Sequence, residues 1–237
     1  MSILFTICAR AGSKGLKNKN VSDFLGKPLC YKTLDVYKDF KKKYTNYSCH
    51  LALNTDSKEL FEQVKECGVP FEYIERTPEL SGDLVDKLSV IRDTYLKTTG
   101  KYDFVTDLDL TSPLRTIDDI YGAINTAANN EEADGAFSVT HPRRSPYFNQ
   151  VKKDTDSFFR PVINMKAVAR QQVPEIFDAN ASIYVFKADF LKKGKTMFDG
   201  KMLIYIMRDT AVLDIDSQHD KELMEIIAKY WWSKNNG

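Results

Sequence analysis

The chain has 237 residues, which fits one α/β domain or one domain with a small appendage. A chain of this size buries about 70–75% of its unfolded surface, so it needs no disulfide or metal staple. Its 34 basic and 33 acidic residues leave a net charge of +1, which excludes a general attraction for nucleic acid or an acidic membrane.

Ile3-Leu4-Phe5-Thr6-Ile7-Cys8-Ala9 is a short apolar, partly β-branched run and reads as a buried central strand. Arg10 to Asn20 follow as a loop. Gly12 and Gly15 let it bend tightly and approach a ligand closely. Arg10, Lys14, Lys17 and Lys19 put cations beside a hydroxyl and exposed amides, with no acid among them. Directly after a buried strand, at the edge where α/β sheets bind ligands, this composition suits a polyphosphate. A solvated basic turn is the plainer alternative. Neither the Walker A pattern nor G-x-G-x-x-G is present.

Gly26-Lys27-Pro28 is a turn signal, and Leu29 to Phe40 reads as a helix. Cys49 to Asn54 is a second strand. Ser57 caps a helix to about Cys67, which Gly68 stops. Val69 to Ile74 is a third strand, followed by a loop through Arg76 and a helix from about Asp83 to Leu96. Tyr102 to Leu108 is a fourth strand. Thr116 caps a helix to about Ala128, with Asp118 and Asp119 where acids suit the dipole. Ala136 to Thr140 is a fifth strand. Residues 141–178, rich in Arg, Pro, Gln and Asn, read as an insertion of short extended pieces. Ala181–Phe186, Leu203–Met207 and Val212–Ile215 are further strands, and Asp220 to Trp232 is an amphipathic closing helix for which Asp216 is a candidate cap. Strands alternating with helices at this spacing predict a doubly wound, mostly parallel sheet.

Cys8, Cys30, Cys49 and Cys67 are scattered without C-x-x-C, as in a reduced cytoplasmic protein. Residues 3–9 lack the length and basic leader of a signal peptide, and no run approaches the ~18 apolar residues of a membrane span. His50, His141 and His219 have no metal spacing, and Trp231-Trp232 suits helix packing or an oligomer contact.

Arg10-Ala11-Gly12-Ser13-Lys14-Gly15, with Lys19-Asn20 beyond it, resembles the A-R-x-G-S-K-G-x-x-x-K-N signature of the CMP-sialic acid synthetases, cytidylyltransferases that activate acidic nine-carbon sugars. Further collinear stretches resemble the same family: Arg76-Thr77-Pro78-Glu79-Leu80, Thr111-Ser112-Pro113-Leu114-Arg115, Arg170-Gln171-Gln172-Val173-Pro174, Asn180-Ala181-Ser182-Ile183-Tyr184 and Asp214-Ile215-Asp216. Together they span residues 3–216.

The resemblance implies a single Rossmann-like nucleotidyltransferase domain, residues 1–237, with 141–178 as an inserted dimerisation and substrate-binding arm. It implies that Arg10, Ser13, Lys14, Lys19, Asn20 and Arg76 bind CTP, with Arg10, Lys14 and Asp216 catalytic. Asp214 and Asp216 resemble ligands of Mg²⁺, and a turn at a strand end would bring both carboxylates to one ion. Asp109, Ser112, Arg170, Gln171, Asp178 and Asn180 would meet the acidic sugar. The implied reaction is attack of the anomeric hydroxyl on the α-phosphorus of CTP, with loss of pyrophosphate, in a homodimer that binds neither nucleic acid nor membrane. The proton acceptor stays open between metal-bound water and a carboxylate such as Asp216.

Asp109 and Asp178 stand where sialic acid synthetases carry a glutamine and an arginine. An aspartate there adds a charge that opposes the sugar's carboxylate. With the nucleotide half intact and the sugar half altered, the chain looks like the branch that activates legionaminic acid or related nonulosonates. An enzyme for an eight-carbon 3-deoxy acid is the alternative within the cytidylyltransferases. A non-catalytic nucleotide sensor and a dehydrogenase are the alternatives outside them.

Overall fold

A computed structural model describes residues 1–12, 15–82, 84–211 and 214–235. In chain order the strands and helices are β1 (Ser2–Cys8), β2 (Asp23–Phe24), β3 (Lys27–Pro28), α1 (Cys30–Lys43), β4 (Ser48–Thr55), α2 (Lys58–Glu66), β5 (Glu72–Glu75), α3 (Lys87–Lys97), β6 (Phe104–Leu108), α4 (Ile117–Ala128), β7 (Gly135–Thr140), β8 (Val151–Lys153), β9 (Phe159–Pro161), β10 (Asp178–Lys187), α5 (Ala188–Lys192), β11 (Met202–Ile206) and α6 (Gln218–Asn235).

Seven strands form one sheet in the order β11-β7-β10-β6-β1-β4-β5. Only β10 runs antiparallel to its neighbours. β2 pairs with β3 and β8 with β9 as separate two-stranded ribbons.

Alternation along β1 explains the layering, because successive side chains of a strand take opposite faces. Ile3, Phe5 and Ile7 join a buried cluster with Leu34 and Phe40 of α1, Leu60 and Val64 of α2, and Ile120 and Ile124 of α4. Leu4 joins Ala52, Val105 and Phe186 against Leu88, Ile91 and Tyr95 of α3 and Phe190 of α5. Helices therefore cover both faces, as the doubly wound reading requires. Burying each such apolar side chain contributes about 1.5–3 kcal/mol.

The caps follow from local chemistry. The Leu60 amide donates to Ser57 Oγ at 3.2 Å, and Gly68 closes α2 at a φ of 71°. Thr116 and Asp119 form a reciprocal capping box on α4. On the last helix, Asp216 is not the cap. Ser217 Oγ accepts from the Asp220 amide at 3.1 Å, while the Asp220 carboxylate accepts from the Ser217 amide at 2.7 Å. Asp216 is thereby left to face elsewhere. The expected strand at 212–215 falls partly on Val212 and Leu213, outside the described residues, and Asp214 and Ile215 belong to no strand. The insertion carries the β8–β9 ribbon and ends earlier than expected, because β10 already begins at Asp178.

Candidate active site

From β1 the chain crosses to β4 and β5 on one side, then returns to β6 on the other. The carboxyl ends of β1 and β6 therefore flank a topological switch point, where open α/β sheets form ligand crevices. A cavity of about 400 Å³ lies there. Its walls include Cys8, Arg10, Gly15, Lys19, Asn20, Arg76, Lys87, Asp109, Thr111, Asp214 and Asp216. The basic loop, the Arg76 loop, the end of β6 and the Asp214–Asp216 segment thus meet in one place, although up to 206 residues separate Arg10 from Asp216.

Each wall is tied to the next. Arg10 donates to the Ser81 carbonyl at 3.0 Å, the Ala11 amide to Asp56 Oδ1 at 2.6 Å, and Asn20 Nδ2 to the Arg10 carbonyl at 3.1 Å. Arg76 donates through Nε and NH2 to the Leu80 carbonyl at 2.9 and 2.7 Å, and burial holds its guanidinium below the ordinary arginine range. The Leu16 amide donates to the Asp216 carbonyl at 2.9 Å, and Lys19 Nζ pairs with Asp216 Oδ1 at 2.7 Å. Ser13 and Lys14, expected at the triphosphate, lie outside the described residues.

Asp214 and Asp216 both line the cavity, while Ile215 between them is fully buried against Phe24, Leu29, Leu114 and Met224. No turn is needed to bring the carboxylates together: in extended chain, residues i and i+2 share a side, and the apolar anchor takes the other. Burial, then the neighbouring Asp216 and Asp109, raise the Asp214 carboxyl above its usual range. Lys19 offsets part of the charge of this two-carboxylate corner through its pair with Asp216. The corner suits a hard divalent ion that takes one or two carboxylates and fills its remaining positions with phosphate and water.

Lys87 and Asp107, which meet at Asp109, are the part of the site that the sequence left unnoticed. Asp107 is fully buried on β6, its Oδ1 accepting from Thr6 Oγ1 at 2.8 Å and its Oδ2 standing 3.0 Å from Lys87 Nζ. Lys87 also donates to Asp109 Oδ2, and its Nζ stands 5.1 Å from the centre of the Tyr184 ring. Asp109 Oδ1 accepts from Thr111 Oγ1 at 2.7 Å and from the Thr111 amide at 2.9 Å. Burial works against both charges. Asp107 and Asp109 nevertheless hold the Lys87 ammonium well above the lysine range, and Lys87 holds the Asp109 carboxyl well below the carboxylate range. Asp109 is therefore not the bare opposing charge that the sequence suggested.

The remaining residues expected at the sugar do not line this cavity. Arg170 and Gln171 line a separate cavity of about 430 Å³ with His141, Arg144 and Glu175. Asp178 is half-buried at the start of β10. Asn180 is buried, accepting from Ser138 Oγ at 2.6 Å and donating to Met207 Sδ at 3.3 Å. Ser112 is buried, and its carbonyl accepts from Arg115 at 2.9 Å.

Residues 4–231 match the family model described as cytidylyltransferase. The chain belongs to the cytidylyltransferase family. As such it is a nucleotidyltransferase, an enzyme class that generally uses a divalent metal. This cytidylyltransferase is 32% identical to the post-translational flagellin modification protein B of Campylobacter coli, over 96% of its own length and 95% of the relative's. It is 31% identical to the CMP-N,N'-diacetyllegionaminic acid synthase of Campylobacter jejuni, over 95% and 94% of the two chains. The structure of a CMP:2-keto-3-deoxy-manno-octonic acid synthetase complexed with CTP superposes with a TM-score of 0.69 at 14% identity, covering 97% and 99% of the two chains, a likeness of fold. No described helix of the cytidylyltransferase is long and apolar enough to cross a membrane.

Proposed function

We propose that this cytidylyltransferase transfers CMP from CTP to the anomeric hydroxyl of an acidic nine-carbon sugar of the legionaminic type. The observation that carries the reading is the single cavity at the switch point, which joins the basic loop to the Asp214–Asp216 pair. In that cavity Arg10 and Lys19 offset phosphate charge; Ser13 and Lys14 are assigned to the triphosphate on the resemblance of their motif alone. Asn20 and Arg76 meet the base and ribose, and Asp109 meets the acceptor. The hydroxyl oxygen forms the new bond to the α-phosphorus as the bond to pyrophosphate breaks, its proton passing to water or to a carboxylate such as Asp216, so catalysis consists mainly of positioning and charge neutralisation. Asp214 and Asp216 would hold Mg²⁺, which supplies charge stabilisation at the phosphate oxygens when bound. Ser112, Asn180, Asp178, Arg170 and Gln171 are assigned to the acceptor on the resemblance of their motifs, and none of them lines this cavity. Free thiols at Cys8, Cys30, Cys49 and Cys67 suit the cytoplasm.

The relative that synthesises CMP-N,N'-diacetyllegionaminic acid supports the acceptor class. Pyrophosphate release measured across acidic sugars and nucleotides tests the reading. CTP is expected to react well above UTP, because sites built on hydrogen bonds reject analogues that leave buried polar groups unpaired. A diacylamino legionaminic-type sugar is expected to exceed N-acetylneuraminic acid by about tenfold in kcat/KM, the worth of one charged hydrogen bond. Equal rates with CTP and UTP, or a preference for N-acetylneuraminic acid, would overturn the respective assignment.

The arm at 141–178 supports a homodimer. Tyr147 and Phe148 are half-buried, but Phe158, Phe159, Val162, Ile163, Met165 and Val168 are exposed on it. Clusters of exposed large apolar side chains mark interfaces. Light scattering at micromolar concentration is expected to give twice the chain mass, and a monomer there would refute the assignment.

A further inference from the structure

Lys87 answers to nothing in the family signature, yet it occupies a distinctive place. It is the first residue of α3, after the N-cap Asp86, where a helix dipole disfavours a cation. Its ammonium is drawn instead across the floor of the switch-point cavity to two carboxylates from β6 and its C-terminal end. It also forms part of the wall of a second, largely apolar cavity with Leu88, Ile91, Tyr184 and Phe198. Lys87 thus stands at the seam between a polar and an apolar space.

The division of labour among the cations follows. Lys19 pairs with Asp216, on the side where the carboxylates fit a metal. Lys87 pairs with Asp109, on the acceptor side, and with Asp107, which is wholly buried behind it. Two aspartates offset its single charge, so it is poorly placed to serve as a further phosphate clamp. What it does control is Asp109. One oxygen of that carboxylate is occupied by Thr111 and the other is held by Lys87. Each carboxylate oxygen has two lone pairs, so Asp109 Oδ2 keeps acceptor capacity while its orientation is fixed from both ends.

We infer that Lys87 is a positioning residue for the sugar acceptor: by bridging Asp107 and Asp109 it fixes the Asp109 carboxylate as an acceptor for a hydroxyl or N-acyl N–H of the sugar. The inference rests on the proposed reading of the cavity as the site where CTP meets an acidic sugar. Loss of Lys87 lets Asp109 swing and leaves the buried Asp107 carboxylate and the Asp109 carboxylate without the ammonium that joins them. Acceptor binding weakens, while the nucleotide walls at Arg10, Asn20 and Arg76 keep their own bonds.

The test is steady-state kinetics with each substrate varied in turn, on wild type, Lys87→Met, Lys87→Arg and Asp109→Asn, with a thermal melt of each. Lys87→Met is expected to raise the KM for the sugar about tenfold or more, with the KM for CTP within about twofold of wild type. Lys87→Arg, which keeps the charge and can reach both carboxylates, is expected to recover most of that loss. If Lys87→Met gives no cooperative melt, Asp109→Asn carries the test, since it keeps the Lys87–Asp107 pair and is expected to show the same selective rise. Parallel changes in both KM values, or no change in either, overturn the inference while an active wild type leaves the proposed function standing. A wild type that turns over CTP with no acidic sugar overturns the proposed function, and the inference with it.

Discussion

Replacing Asp216 with alanine is expected to lower turnover by more than a hundredfold while leaving the fold intact. The two halves of that expectation have separate physical grounds. The Asp216 side chain is 68% exposed, and its pair with Lys19 is a surface ion pair worth about 0–1 kcal/mol. Ile215, not Asp216, anchors the segment in the core, and Ser217 with Asp220 caps α6 without it. The melting temperature should therefore move by only a few degrees. Turnover is different, because a divalent ion beside the phosphates supplies several kcal/mol of charge stabilisation, and about 3 kcal/mol is already more than a hundredfold. Asp214→Asn should behave alike, since it removes the other carboxylate of the pair. Chelation of the wild type should abolish activity, and added Mg²⁺ should restore it. A folded Asp216→Ala enzyme with wild-type turnover, or full activity of the wild type in chelator, would remove the metal role from this pair.

Asp214 and Asp216 were singled out by the resemblance of Asp214-Ile215-Asp216 to a family motif, and the structure puts both on the wall of one cavity. The layering was legible in the residues themselves. The apolar run at Ile3–Ile7 and the caps at Ser57 and Thr116 are decided by neighbours a few positions away. Lys87 was not legible, because its partners lie 20 and 22 residues onward and meet it only once α3 packs against β1 and β4. Two signals pointed to it. Asp107 is an ionisable group inside an otherwise apolar strand, and a buried acid requires a partner. A lysine opening a helix with no acid in its first turn is unfavourable unless something else holds it. The departure at Asp109 was visible as a substitution but was read as an isolated charge, since the sequence does not show which cation neutralises it. The expected sugar-side residues do not meet: Arg170 and Gln171 are exposed on the arm and line a separate cavity, while Asn180 is buried on β10.

Gly15→Ala is expected to cost about a hundredfold in kcat/KM, although alanine is a small change on an exposed loop. Its β-carbon would fall 2.1 Å from the Asp216 carbonyl oxygen, where ordinary contacts are 3.4–4 Å. The obstacle is backbone, so no rotamer relieves it, and the basic loop must retreat from the Asp214–Asp216 segment by more than an ångström. That movement breaks the bond from the Leu16 amide to the same carbonyl and pulls Lys19 from Asp216. It separates the phosphate-facing wall from the acidic corner, and a displacement of about 1 Å at a reacting centre costs on the order of a hundredfold. Gly12 provides the control on the same loop. A β-carbon there meets nothing within 4 Å, but the residue has a φ of +66°, so Gly12→Ala adds backbone strain of about 1–2 kcal/mol without driving the two walls apart. The expected order of activity is wild type, then Gly12→Ala, then Gly15→Ala far below, with all three melting cooperatively. If Gly15→Ala works as well as Gly12→Ala, the close approach of these two segments is not what aligns the phosphates with the carboxylate pair.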